Sequence, residues 1–180
     1  MLKAEDCILA IVDVQGKLAQ VVDNSEALHQ QLSTLIQGAQ LFEIPTLWLE
    51  QLPDKLGHTT PSLAELLSLE NQPIAKEHFS GWQAEGFRRS LIQSGRKQVI
   101  LAGIETHICV YQTCRDLLEQ GYHVHLVCDC VSSRTPENKQ LGIEMMRDYG
   151  ARMQNVESLL FELQHIAQGD RFRALLKLIK

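Results

Sequence analysis

Short apolar segments alternate with longer amphipathic segments along most of this chain, and this alternation is its most constraining feature. Continuous apolar runs at residues 8–14 and 98–102 are typical of strands that are buried on both faces. Apolar residues recur at helical spacing over residues 25–42, after a Ser that can cap a helix. The alternation predicts a single α/β domain over residues 1–180, a three-layer sandwich with a mostly parallel sheet flanked by helices.

The remaining elements follow from the same patterns and from Pro and Gly punctuation. Pro61 and Pro136 suit the first turn of a helix, and Gly95 and Gly121 suit positions just past a helix end. Strands are predicted at residues 46–49, 74–76, 123–128 and 152–154, and helices at 61–69, 83–94, 108–120 and 136–149.

Charge and composition limit the classes of partner. The formal net charge is −5 and Lys and Arg are scattered, which argues against nucleic acid or an anionic membrane as a partner. No apolar run approaches the ~18–20 residues that span a bilayer, and the first residues do not resemble a signal peptide. We therefore expect a cytoplasmic protein that binds a small-molecule substrate.

Five cysteines are present, an odd number, and they form no pairs with zinc-site spacing. In the cytoplasm reduced thiols are expected. Cys128 and Cys130 are two residues apart, so in a regular strand their side chains would lie on the same face.

Three polar residues lie at the predicted carboxyl ends of strands, where open parallel sheets bind their ligands. Asp13 interrupts the end of the first apolar run, Lys76 ends the short run at 74–76, and Cys109 follows the run at 98–102. Each has an ordinary alternative: the Asp as a helix cap or loop residue, the Lys as a surface charge, and the Cys as a small buried apolar residue.

Together these three residues form a set suited to acyl transfer. A helix N-terminus and a nearby ammonium are expected to lower the pKa of the Cys109 thiol. The Asp13 carboxylate can take the thiol proton and return it to a leaving group. Backbone amides near the Cys can receive an oxyanion. The set predicts a nucleophilic hydrolase.

Three motifs, in this order, resemble those of the isochorismatase-like cysteine hydrolases. IVDVQ resembles the family's first-strand motif and contains Asp13 and Gln15. IAKEHFSGW resembles the segment that carries the family's lysine, here Lys76. AGIETHICV resembles the family's cysteine motif and ends with Cys109 and Val110. The resemblance extends over essentially the whole chain.

The resemblance implies a parallel sheet of about six strands, catalysis by Asp13, Lys76 and Cys109, and no cofactor. It implies a cis peptide bond between Ile104 and Glu105, with the amides of Glu105 and Cys109 receiving the oxyanion. It also implies a homo-oligomer. The residues placed at the substrate pocket are Gln15, Phe79, Trp82 and Thr106; for Phe79 and Trp82, a place in the core or in an interface is an equal alternative.

The segment after the second predicted strand departs from the metal-binding nicotinamidases of the same superfamily. Those enzymes carry an Asp-x-His motif there, whereas this chain has Glu50, Asp54 and His58 without that motif. A metal site and nicotinamidase activity are therefore disfavoured. Asp54 and His58 remain weak candidate ligands, and a solvated loop histidine is the simpler interpretation of His58.

The sequence thus favours hydrolysis of a small amide, or a related C–N bond, through a thioester on Cys109. Two alternatives stay open: vinyl-ether hydrolysis of the isochorismate type in the same pocket, and a non-catalytic binding or scaffold protein with this fold. The amphipathic segment 171–180 is expected either to cover part of its own chain or to dock on a neighbouring subunit.

Overall fold

The computed structural model describes residues 1–69 and 71–180. Its centre is a parallel sheet of six strands, which are β1 (Cys7–Val12), β2 (Thr46–Gln51), β3 (Ile74–Lys76), β4 (Gln98–Ile104), β5 (His123–Ser132) and β6 (Arg152–Gln154). This confirms the predicted fold class and strand number.

Helices connect the strands and cover both faces of the sheet. They are α1 (Leu18–Val21), α2 (Ser25–Leu41), α3 (Pro53–Leu56), α4 (Pro61–Leu67), α5 (Glu85–Ser94), α6 (Tyr111–Glu119), α7 (Pro136–Asp148), α8 (Val156–Gln164) and α9 (Asp170–Ile179). A 3-10 turn (Gly81–Gln83) precedes α5, and a π-helical turn (Thr106–Val110) leads into α6.

The order of strands in the sheet is β3-β2-β1-β4-β5-β6. The chain builds outward from β1 to β3 on one side, then crosses to β4 and builds outward to β6 on the other. The order therefore reverses between β1 and β4, and loops diverge at their carboxyl ends. Open α/β sheets bind ligands in the crevice at this reversal.

Both faces of the sheet are buried, as the continuous apolar runs require. On one face, Leu9 and Ile11 of β1 pack with apolar residues of α2, α8 and α9. On the other face, Ile8 and Ala10 pack with apolar residues of α5, α6 and α7. Because successive side chains of a strand point to opposite faces, one apolar strand contributes to both cores.

The fifth strand departs from the regular strand that the sequence predicts. β5 runs four residues past the predicted end at 128, and its pairing with β4 shifts register between Leu101 and Gly103. Cys128 consequently packs with the apolar core on one face while Cys130 lies in the core on the other. The expectation that these thiols share a face is wrong, because the irregularity reverses the alternation between them.

The C-terminal segment packs on its own chain. Leu175 of α9 is fully buried, and Leu178 and Ile179 pack against the same core cluster as α2 and α8. Of the two expected placements of residues 171–180, the structure shows packing on the same chain. Among residues 1–69 and 71–180, no helix is both long and apolar enough to cross a membrane.

Candidate active site

The carboxyl ends of β1, β3 and β4 bring the three candidate residues to one edge of the sheet. Asp13 follows β1 directly, and Lys76 is the last residue of β3. Cys109 lies in the π-helical turn at the start of α6, five residues after β4 ends. Asp13 and Cys109 thus flank the reversal of strand order, and Lys76 reaches toward them from the edge strand.

The backbone turns sharply where β1 ends. Asp13 has a φ of +52°, in the left-handed region, which Asp tolerates better than most residues. Its amide still donates to the Leu49 carbonyl of β2 at 3.1 Å, and its own carbonyl accepts from the Gln15 amide at 2.9 Å. A non-glycine residue in this conformation is common at functional sites, where surrounding contacts hold it in place.

Asp13 and Lys76 form a buried ion pair. Lys76 Nζ lies 2.7 Å from Asp13 Oδ2, and both side chains are almost completely shielded from solvent. The ammonium also donates to Gln51 Oε1 at 2.5 Å and to the His78 carbonyl at 3.2 Å. All three N–H donors of the lysine are therefore used, as a buried charge requires.

The Asp13 carboxylate lies near the Cys109 thiol, and Lys76 donates to only one of the two carboxylate oxygens, Oδ2. Oδ1 is buried and accepts no hydrogen bond from the part of the chain that the structure describes. The carboxylate and the thiol are close enough that each perturbs the pKa of the other. Burial raises the pKa of Asp13 despite the opposing effect of Lys76, so this carboxylate is a stronger base than an exposed Asp.

The thiol of Cys109 is protonated at rest, contrary to the sequence-based expectation. Burial, followed by the negative charge of Asp13, raises its pKa to about 12, and the lowering effect of Lys76 does not compensate. The expectation of a lowered pKa counted the ammonium and the helix N-terminus but not desolvation. Reaction at Cys109 therefore requires that its proton be removed as the bond to sulfur forms.

Gln15 and Gln51 are hydrogen-bonded to each other, and of the two only Gln15 was predicted from the sequence. Gln15 Oε1 accepts from the Gln51 amide at 2.6 Å, and its Nε2 donates to the carbonyls of Gln51 and Gly57 at 2.9 and 2.6 Å. Gln51 in turn orients Lys76. Gln51 was not predicted as a site residue, although its position as a polar residue ending an apolar strand is the same signal that identified Asp13 and Lys76.

A cavity of about 320 Å³ opens onto the thiol and the carboxylate. Its walls are mainly apolar, and Phe79 and Leu56 at its edge remain 54% and 52% exposed. The residues that line it are Asp13, Gln15, Lys17, Leu18, Gln51, Lys55, Leu56, Phe79, Ile104, Glu105, Ile108 and Cys109. Its size and mostly apolar walls suit a small organic molecule.

Two of the four predicted pocket residues line this cavity and two do not. Gln15 and Phe79 are among its walls. Trp82 instead packs on Tyr122, with ring centroids 5.8 Å apart, next to the core. Thr106 is fully buried in the turn before Cys109, where α7 approaches so closely that only Gly142 fits against it. The assignment of Trp82 and Thr106 to the pocket is corrected accordingly.

Glu105 contributes both its backbone and its side chain to the site. The peptide bond between Ile104 and Glu105 is cis, and the Glu105 carbonyl accepts from the amides of Ile108 and Val110 in the π-helical turn. Its buried carboxylate accepts from the backbone amide of Arg134 at 3.0 Å and from Arg134 Nε at 3.1 Å. The loop after β5 is thereby joined to the cysteine turn.

Glu50 anchors the loop that follows β2. It is buried, and its carboxylate accepts from the amide and hydroxyl of Thr59 at 2.7 and 2.8 Å and contacts His58 Nδ1 at 3.1 Å. Burial raises the pKa of Glu50, but the hydrogen bonds from Thr59 and His58 outweigh it, so the net shift is downward. Within residues 1–69 and 71–180, no three His, Cys, Asp or Glu side chains are grouped to hold a metal ion.

Comparison with known proteins gives a family. A model of the isochorismatase domain matches residues 7–158. The secreted isochorismatase effector Isc1 of Phytophthora sojae is 35% identical over 178 residues, which cover 96% of this chain and 84% of that protein. The mouse isochorismatase domain-containing protein 2A is 34% identical over 98% of this chain and 84% of its own length.

Solved structures agree with that result. The MAR1 ribonuclease from Caenorhabditis elegans superposes with a TM-score of 0.91 at 35% identity, over 99% of this chain and 91% of that one. YcaC from Pseudomonas aeruginosa, with hexane-2,5-diol and covalent acrylamide, gives a TM-score of 0.91 at 26% identity, over 97% of this chain and 89% of that one. YcaC from Escherichia coli, an octameric hydrolase of unknown specificity, gives a TM-score of 0.92 over 98% of this chain and 89% of that one; at 22% identity it shows a shared fold. This chain belongs to the isochorismatase family.

Proposed function

We propose that this protein is a cysteine hydrolase that cleaves a small amide, or a related C–N bond, through a thioester on Cys109. The observation that carries the proposal is a buried Asp13 carboxylate with one unbonded oxygen, close to the Cys109 thiol, with both residues lining a mainly apolar cavity. A base with an available lone pair, a thiol and room for a small substrate are the minimum that this reaction requires.

In the first half of the reaction, Asp13 Oδ1 takes the thiol proton as Cys109 Sγ attacks the carbonyl carbon. A bond forms between sulfur and carbon, and the carbonyl electrons move onto oxygen, where the backbone amides of Glu105 and Cys109 are proposed to stabilise them. Collapse of this intermediate breaks the C–N bond. The leaving nitrogen takes its proton from Asp13, which is a carboxylate again when the amine departs.

In the second half, water resolves the thioester. Asp13 takes a proton from the water as the water oxygen attacks the acyl carbon, and the C–S bond breaks. The proton returns to Cys109 Sγ, and a carboxylic acid leaves. Lys76 keeps the Asp13 carboxylate in place and balances its charge throughout, because both groups are buried and a lone carboxylate there would be costly.

The raised pKa values support this division of roles. A thiol with a pKa of about 12 does not attack by itself at neutral pH, so a neighbouring base is needed. Burial makes Asp13 a stronger base than usual, which brings its proton affinity closer to that of the thiol. The covalent acrylamide described for the Pseudomonas aeruginosa relative is also consistent with nucleophilic chemistry in this family.

The open alternatives differ in what they require of the thiol. Vinyl-ether hydrolysis uses Asp13 as an acid or base and tolerates loss of Cys109, and a non-catalytic scaffold needs neither residue. The ribonuclease named for the Caenorhabditis elegans structure would act on a polyanion. Here the chain is acidic overall, with a formal net charge of −5, and the cavity holds about 320 Å³, so we favour a small substrate.

We also propose that the protein assembles with copies of itself, as the octameric Escherichia coli relative does. Sedimentation velocity over a range of concentrations tests this directly. A single monomeric species at micromolar concentration would contradict it.

The test of the reaction is turnover of a panel of small primary amides, measured as ammonia release, with a vinyl ether and an RNA oligonucleotide assayed in parallel. Intact-protein mass spectrometry after rapid acid quench detects the acyl-enzyme. The variant is Cys109→Ala and the matched control is Cys128→Ala, a half-buried thiol that lies outside the cavity.

We expect an amide substrate, an acyl adduct on Cys109, and a loss on the order of a thousandfold or more in Cys109→Ala. Cys128→Ala should retain its turnover. Full amide turnover by Cys109→Ala would exclude the thioester route. Activity on the vinyl ether that survives Cys109→Ala would instead favour ether hydrolysis, and cleavage of RNA alone would favour a nuclease.

A further inference from the structure

The charges at the cavity do not cancel. Asp13 is paired with Lys76, and Glu105 is paired with Arg134. Two further lysines, Lys17 and Lys55, line the cavity, and both residues are exposed. Neither forms an ion pair or a side-chain hydrogen bond with any group in residues 1–69 or 71–180. The cavity therefore carries a local excess of positive charge in a chain whose net charge is −5.

The two lysines belong to chain segments that are fastened together. The Gly16 amide, next to Lys17, donates to the His58 carbonyl at 3.0 Å, and Gln15 Nε2 donates to the Gly57 carbonyl at 2.6 Å. The segments approach so closely that a Cβ on Gly16 would lie 2.0 Å from the Leu56 carbonyl oxygen. The backbone contacts thus keep the two segments that carry Lys17 and Lys55 side by side at the cavity.

Apolar side chains line the cavity together with these lysines and the reacting groups. Leu18 and Leu56, the immediate neighbours of Lys17 and Lys55, line the cavity together with Ile104 and Ile108, which flank the cysteine turn. A molecule that fills this space meets a thiol and a carboxylate, apolar side chains, and two lysines that have no ion-pair partner among the described residues. These three regions define the chemistry of the ligand.

We infer that the substrate carries a distal carboxylate, which pairs with Lys17 and Lys55, on an apolar body whose other end is the amide attacked by Cys109. The amide portion of this inference rests on the proposed function, whereas the carboxylate portion rests only on the two lysines. Exposed ammonium groups of this kind attract anions from solution and orient them, and the attraction weakens as salt is added.

The test separates binding from turnover. Calorimetry with the Cys109→Ala variant measures binding of monoamides of linear dicarboxylic acids with five to eight carbons, each against the alkanamide of equal length. At low ionic strength we expect the best carboxylate to bind at least tenfold more tightly than its neutral partner. The variants Lys17→Met and Lys55→Met should each reduce this ratio, the double variant should bring it near one, and added salt should do the same.

Lys177→Met is the matched control, because Lys177 is exposed on α9 and does not line the cavity. It should leave the binding ratio unchanged. A ratio near one in the parent protein, a ratio that survives in the double lysine variant, or no binding by any compound would overturn the inference.

Turnover by the native chain then tests the reaction independently. A carboxylate preference in binding without hydrolysis of any amide would contradict the proposed reaction and leave the charge inference standing. Equal kcat/KM for the carboxylate and neutral members of a pair would contradict the inference and leave the reaction standing.

Discussion

Gln51 Oε1 lies 2.5 Å from Lys76 Nζ and so connects the end of β2 to the ammonium that pairs with Asp13. Gln51 Nε2, in the same side chain, donates to the Glu77 carbonyl at 2.7 Å, and the Gln51 backbone amide donates to Gln15 Oε1. Gln51 is therefore a positioning residue: it fixes where the lysine, and through it the carboxylate, can lie.

Replacing Gln51 by Met should lower kcat by a factor on the order of ten to a hundred, because a hydrogen bond to a charged group is worth about 1.5–3 kcal/mol. KM should change less, since the carboxylate is displaced more than the walls of the cavity. Steady-state kinetics on the substrate that the amide panel identifies measures both. Gln51→Glu keeps an oxygen acceptor and should retain more activity; equal losses in both variants would contradict a positioning role.

The Asp13–Lys76 pair should be strongly coupled in stability. Lys76→Met leaves a buried carboxylate without a partner and should lower the free energy of unfolding by about 3–5 kcal/mol at pH 8. The double variant Asp13→Asn/Lys76→Met should lose about 2 kcal/mol less than that, because no charge remains buried. Urea denaturation of the four members of the cycle provides the values. Additive effects would show that the pair is not coupled.

The same pair predicts how stability depends on pH. Burial raises the pKa of Asp13, so the native state holds this proton to higher pH than the unfolded state does. In Lys76→Met no ammonium opposes that effect. Its free energy of unfolding should therefore be highest below the ordinary pKa of Asp and fall as the pH rises through the raised value. The double variant lacks the carboxylate and should not show this fall, which pH-dependent urea denaturation detects.

Asp13→Asn should make Cys109 easier to alkylate while abolishing turnover. After burial, the Asp13 charge is the largest cause that raises the pKa of the thiol to about 12, so removing this charge lowers the pKa. The midpoint of iodoacetamide labelling, followed by mass spectrometry as a function of pH, should move to lower pH. In the parent chain, labelling of Cys109 should still be rising at the highest pH at which the protein remains folded.

Cys128 serves as the internal control for that measurement. Burial and the neighbouring Asp129 raise its pKa, and Asp13 is not among the causes. Its labelling midpoint should be the same in the parent and in Asp13→Asn. A Cys109 midpoint that does not move, or that rises, would mean that Asp13 does not act on the thiol.

Gly103 allows β1 and β4 to meet at the reversal of strand order. Its φ is +124°, and a Cβ there would lie 2.1 Å from the Val12 carbonyl oxygen, which is backbone and has little freedom to move. Gly103→Ala should therefore destabilise the protein by more than about 4 kcal/mol, because it combines backbone strain with a steric clash.

Gly121 is the matched position for this comparison. It also has a positive φ, +79°, but a Cβ there would meet nothing within 4 Å. Gly121→Ala should cost only about 1–2 kcal/mol, the value for backbone conformation alone. Thermal unfolding of the two variants measures the difference, and equal destabilisation would exclude close approach as the reason for glycine at 103.

Much of the fold and part of the site were predictable because they depend on local patterns. The apolar run that became β1 and the helical spacing that became α2 each arise within one stretch of sequence, and parallel strands end at a common edge. Asp13, Lys76 and Cys109 could be singled out for that reason. The irregularity in β5 was not predictable, since it depends on how residues 127–130 fit against β4.

The sequence by itself determined the α/β class, the family and the three polar strand ends, because residue order and periodicity are local properties. Only the tertiary structure decided that Gln51 holds Lys76, that Trp82 lies outside the cavity, and that the Cys109 thiol is protonated at rest. The first two depend on which strands and loops become neighbours. The third depends on desolvation, which exists only once the chain has closed around the thiol.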